Sequence, residues 1–165
     1  MPKTFETIAN TTLSSGATTV TLSSIPQTYT DLKLVIYAFT NSEGVNVSLR
    51  FNSDTTSTNY PYGAIYNVGS FLSTSSSIGS RVAFLTPSSA IPFMTVVDIL
   101  SYTSSGTKPY LSKASQARAT GGFATRFTGT YLGGSGISSI TLLNDSAINF
   151  NTGTSMCLYG IKEFS

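Results

Sequence analysis

Histidine is absent from the 165-residue chain, and that absence removes the commonest general base, the commonest zinc ligand and any Ser-His-Asp arrangement. Cysteine occurs once, at Cys157, so no disulfide can form within the chain. Its apolar setting, "SMCLYGIK", reads as a small buried hydrophobe, not a reactive thiol. Charge is also scarce: 10% of residues are charged, against about 25% in ordinary globular proteins. The nine basic residues (Lys3, Lys33, Arg50, Arg81, Lys108, Lys113, Arg118, Arg126 and Lys162) are scattered singly. Nucleic-acid binding needs a concentrated basic patch, and none is visible along the chain. The start, "MPKTFETIAN", lacks the apolar core of a signal peptide, and no run approaches membrane-spanning length. The expectation is therefore a protein without a membrane segment.

What remains is apolar, aromatic and rich in hydroxyls. Apolar residues make up 40% and aromatics 12%, while Ser and Thr together supply roughly a third. Thr, Tyr, Phe and Val favour a pleated, half-buried surface, and the composition suits helices badly. Period-two alternation recurs near Thr4–Ala9, Thr18–Leu22, Leu32–Phe39, Val45–Asn52, Gly63–Val68, Arg81–Leu85, Phe93–Tyr102, Tyr110–Ala117, Gly122–Leu132, Ile137–Leu143 and Ser155–Ile161. Gly/Ser/Asn turn signals separate these runs. Many short strands at such spacing predict an all-β, antiparallel β-sandwich of jelly-roll-like type, as a single domain over residues 1–165. The low-complexity stretch Gly69–Ser80 reads as a mobile surface loop or a projecting tip.

Two strands are apolar on both faces. In "DLKLVIYAF" and "FMTVVDILSY", Val35, Tyr37, Phe39, Met94, Val96, Leu100 and Tyr102 occupy the face that a two-layer sandwich would turn to water. They are candidate interface residues, to be covered by a loop or by another subunit.

Catalytic chemistry is not legible, and the sequence predicts no enzyme, no cofactor and no metal. Glu43 and Asp54 lie at opposite ends of the Val45–Asn52 strand, about 26 Å apart, too far for paired-carboxylate work. Asn52, Asp54 and Thr56 have the spacing of half a calcium loop, but Ser57 stands where glycine belongs and Gly63 where the bidentate Glu belongs. Asn and Asp at such positions otherwise cap turns. Asn52, Asp54, Tyr60 and Tyr62 also form a candidate receptor loop, since exposed tyrosines beside Asn and Asp suit a sugar; packing at the sandwich end is the competing reading.

Three stretches carry a resemblance. "TFETIANTTLSSGATTVTLSSIPQTYTDLKLVIYAF" resembles the start of small structural proteins encoded by tailed bacteriophages. "LRFNSDTTSTNYPY" is similar to their Arg-Phe-Asn-x-Asp-Thr segment, at Arg50, Phe51, Asn52, Asp54, Thr55, Asn59 and Tyr60. "SMCLYGIKEF" is similar to their closing strand, with Leu158 to Lys162 as Leu-Tyr-Gly-Ile-Lys. The likeness covers the first 60 or so residues and the tail, and leaves Gly69–Gly136 unmatched. It implies a virion structural protein made in the bacterial host cytoplasm. No heptad repeat is legible in the sequence, so no coiled-coil shaft is expected. The expectation is thus a capsid decoration (cement) or head-fibre protein that binds the major capsid protein and itself, as a homotrimer or dimer. The alternative is a tail-fibre adhesin for a host surface glycan. Neither nucleic acid nor a membrane is expected as a partner.

Overall fold

Side-chain alternation decides which face of each strand turns inward, and the computed structural model realises it in two sheets. It describes residues 4–40, 46–68, 71–79, 81–84, 91–116 and 122–162. The strands are β1 (Thr4–Thr12), β2 (Val20–Leu22), β3 (Asp31–Ala38), β4 (Asn46–Phe51), β5 (Pro61–Val68), β6 (Phe71–Ile78), β7 (Arg81–Phe84), β8 (Phe93–Ile99), β9 (Lys108–Gln116), β10 (Phe123–Tyr131), β11 (Ile140–Asn144) and β12 (Ser155–Lys162). A 3₁₀ turn, Ser57–Asn59, lies between β4 and β5. The eight-stranded sheet runs β1-β12-β3-β8-β9-β10-β5-β6 and the four-stranded sheet β2-β11-β4-β7, with every recorded pairing antiparallel. The all-β sandwich expected from the sequence is the fold found.

The core lies between the sheets. Leu32, Leu34, Ile36 and Ala38 of β3 and Phe93, Val97 and Ile99 of β8 face Val47, Leu49 and Phe51 of β4 and Ile140 and Leu142 of β11. All are essentially inaccessible. Each such side chain contributes about 1.5–3 kcal/mol when fully buried, which makes this face of β3 and β8 the principal stabilising surface. A smaller cluster, Tyr62, Ala64 and Phe127, lies on β5 and β10, with the Tyr62 and Phe127 rings 5.4 Å apart.

One expectation is corrected here. Most of the serine-rich stretch is strand β6, paired residue for residue with β5 from Val68↔Phe71 to Pro61↔Ile78; Gly69, Ser70 and Ser80 lie outside the described residues. Serine on both faces hides the alternation, but the free edge of β5 supplies hydrogen-bonding groups that any backbone can satisfy. Val45, Leu85 and Ala117, expected at strand ends, also lie outside the described residues.

Lys108 is a buried exception to the apolar interior. Its Nζ donates to the carbonyls of Gly106 (2.9 Å) and Gly133 (2.6 Å) and sits 5.3 Å from the centre of the Tyr131 ring. Desolvation lowers its pKa from the ordinary lysine value. The side chain thereby ties the turn before β9 to the segment after β10. Close aromatic seating over glycine is a second device: the rings of Tyr110, Tyr131 and Tyr29 occupy the space a Cβ would need at Gly129, Gly133 and Gly160.

Gly160→Ala is expected to lower stability by about 1–3 kcal/mol in denaturant unfolding, because the new methyl meets the Tyr29 ring. Gly63→Ala, whose nearest neighbour would be Thr128 Oγ1 at 3.7 Å, is expected to stay within about 0.5 kcal/mol. Equal losses at the two sites would contradict the seating.

Candidate functional site

The exit from β4 is built as a knot. Phe51, Tyr60, Tyr110 and Tyr131 pack together, with Phe51–Tyr131 centroids 5.2 Å apart and Tyr60–Tyr131 5.0 Å apart. The Tyr60 hydroxyl receives the Phe51 amide (3.1 Å) and donates to the carbonyls of Phe51 (3.3 Å) or Asp54 (3.1 Å). Asp54 accepts from the Thr56 amide (2.8 Å), Asn59 Nδ2 (2.7 Å) and the Tyr131 hydroxyl (3.2 Å). Asn52, with φ of 52°, turns the other way: its Oδ1 accepts from the Ser138 amide (2.8 Å) and its Nδ2 donates to the Gly136 carbonyl (2.9 Å).

This geometry corrects the receptor loop. Tyr60 is 2% and Tyr62 6% exposed, so neither ring is an open platform for a sugar. The calcium spacing has no counterpart either, since Asn52 and Asp54 serve different partners on different sides of the turn. Glu43, the other half of the carboxylate pair considered from sequence, lies outside the described residues.

Burial and the neighbouring Asp54 carboxylate push Tyr131 up to about 12, and burial also raises Tyr60. Hydrogen bonds from Asn59 and the Thr56 amide hold Asp54 below the usual carboxylate range. A pocket of about 330 Å³ opens beside the knot, lined among others by Ser48, Arg50, Asp54, Tyr62 and Asp145. Arg50 is half-buried and makes no ion pair or hydrogen bond through its guanidinium to the described residues, whereas Asp145 accepts from Asn46 and Ser48.

The second feature is the outer face of the eight-stranded sheet. Val35 stands opposite Val96, and Tyr37 opposite Met94. Tyr37 is 43% exposed, Met94 49% and Leu100 46%, while Val35, Val96 and Phe39 are half-buried. Phe39 packs edge-on against Tyr37 at 5.1 Å. Of the seven candidate interface residues only Tyr102 departs from this face. It is fully buried, and its hydroxyl donates to the Pro26 carbonyl. Ser101, at φ 49°, interrupts the alternation after β8 and turns Tyr102 inward. Lys33 and Asp98 form an ion pair on the same outer face.

Comparison with known proteins yields no match: no family model, curated protein or solved structure corresponds to the chain.

Asp54 supplies a pH test. Its folded pKa is depressed, so the stability it contributes is complete above the unfolded value of about 3.9 and is lost as pH falls through the folded one. Thermal midpoints are expected to drop on acidification through and below about pH 3.9, and Asp54→Asn to flatten that acid limb. An unchanged limb in the variant would show that Asp54 does not carry it.

Proposed function

We propose that the chain is a non-enzymatic virion structural protein of a tailed bacteriophage, made in the host cytoplasm. More concretely, it is a capsid decoration protein that binds the major capsid protein on the outside of the shell and ties neighbouring capsomers together. The observation that carries the reading is the open apolar row of Val35, Tyr37, Met94, Val96 and Leu100 on the broad outer face. Such a face favours association through buried area, and the chain's low charge density leaves little for long-range steering. The resemblance of the first 60 or so residues and of Leu158–Lys162 to phage structural proteins supports the setting. Assembly as a dimer or trimer belongs to the same proposal, because closed symmetry suits repeated sites on a shell.

A second reading, a tail-fibre adhesin for a bacterial surface glycan, has one observation in its favour. The pocket beside the β4 exit offers Arg50, Asp54, Asp145 and serine hydroxyls to a polyhydroxylated ligand. A glycan array on which Arg50→Ala abolishes the hits would favour it; an empty array would remove it.

Antibody labelling of particles in electron micrographs tests the main proposal. Label over the head in many copies is expected, and label confined to the tail end would overturn the decoration assignment. Met94→Lys is expected to weaken binding to particles stripped of the protein at least tenfold, about 1.4 kcal/mol, with stability changed by no more than about 0.5 kcal/mol.

A further inference from the structure

The strand order creates a charge arrangement that the sequence conceals. Lys113 of β9 and Arg126 of β10, 13 positions apart in the chain, stand directly opposite each other on the outer face, and both are exposed. Like charges directly opposed on antiparallel strands destabilise the pair. No described carboxylate reaches either one: the described ion pairs are Lys33–Asp98 and Lys162–Glu6.

The in-register neighbours of the pair are apolar. In register, the row continues to Val96 on one side and to Ile65 on the other. A depression of about 460 Å³ lies at the pair, with Ile65 and Ala124 in its lining. A second, of about 540 Å³, brings together Tyr37, Met94, Ser115 and Ala124 in the adjoining row. Two cations are thus set within the exposed apolar surface, and small side chains at Ser115 and Ala124 leave room beside them.

We propose that Lys113 and Arg126 anchor a protein-docking site on this face, whose occupant is a partner protein presenting an Asp or Glu side chain flanked by apolar residues. The inference rests on the docking reading above and names the partner's chemistry. A carboxylate relieves the repulsion between the cations, and a guanidinium can receive it through two parallel hydrogen bonds. Ile65, Val96 and Met94 offer aliphatic or thioether surface to an apolar protein side chain, and the exposed ring of Tyr37 in the adjoining depression adds to it. Two cations are too few for the phosphate neutralisation that drives nucleic-acid binding. A second copy is a poor occupant through the same face, because Asp98 is held by Lys33 and Asp31 accepts the Ser101 amide.

The test pans a displayed library of random peptides against the full chain and measures the selected peptides against the Lys113→Gln, Arg126→Gln double variant. Thermal unfolding of the double variant is followed alongside; both side chains are exposed, so its midpoint is expected to match the parent or exceed it. Enriched peptides are expected to carry Asp or Glu beside an apolar residue. They are expected to bind the double variant at least tenfold more weakly, and to lose affinity for the parent chain as salt rises.

Failure to enrich any peptide, enrichment without acidic residues, or equal binding to the double variant would overturn the proposal. Alginate or duplex DNA bound by the parent and lost in the variant would replace the protein partner with an acidic polysaccharide or a nucleic acid. A concentration-dependent dimer in sedimentation, lost in the variant, would replace it with a second copy. Antibody position on the particle does not depend on these results, so failure of the acidic-partner inference and failure of the decoration reading are read separately.

Discussion

Burial of apolar side chains between two sheets of unequal width is the constraint on which the rest of the molecule depends, because four strands facing eight leave much of the wider sheet to find other uses. Where the sheets overlap, β3 and β8 meet β4 and β11 in a dry core of Leu, Ile, Val and Phe. Beyond the overlap, β5 and β10 form their own small cluster around Phe127. On the other side of the same wide sheet, no such burial holds Tyr37, Met94 or Ile65, which remain exposed. The apolar outer face thus sits directly behind the best-packed part of the fold, which gives it a rigid backing. Rigid backing lowers the ordering cost of docking.

The knot at the β4 exit belongs to the structural side of this division. Tyr60, Tyr131 and Phe51 close the end of the core, and their polar groups are satisfied locally by Asp54 and by backbone carbonyls. Lys108 extends the same closure by bonding Gly106 and Gly133. Although the buried Tyr110 hydroxyl has no partner, the hydrogen bonds of Tyr60, Tyr131 and Asp54 fix one arrangement of the loops. The residues that looked most like a recognition loop in sequence therefore position the turn, while the pocket beside them holds Arg50, which makes no ion pair with the described residues.

Much of the fold was legible because strand-sized runs in the sequence mark β3, β8 and β9, in which burial alternates residue by residue, although β9 buries Lys108, Ser112 and Gln116 against their hydropathy. β6 was not, because serines on both faces erase the period. Tyr102 was misplaced by one reversal of parity at Ser101, a backbone feature that no side-chain pattern announces. Tyr60 and Tyr62 look exposed in a polar stretch, yet Pro61 begins β5 and the strand carries Tyr62 inward, while Tyr60 is drawn down by its hydrogen bonds. The Lys113–Arg126 pair depends on the register between β9 and β10, so a scatter of single basic residues in the sequence becomes a local pair only once that register exists.

The central claim is that the middle of the outer face of the eight-stranded sheet, around β3 and β8, is covered when the protein is in its assembly. Hydroxyl-radical footprinting of the isolated chain and of the assembled particle tests it most directly, with Met94 and Tyr37 as reporters on β8 and β3 and Phe5 and Ile78 as exposed reporters on the edge strands β1 and β6. The account predicts that Met94 and Tyr37 lose most of their reactivity on assembly while Phe5 and Ile78 keep theirs. Met94 and Tyr37 reacting as fast in the particle as in the free chain would contradict it.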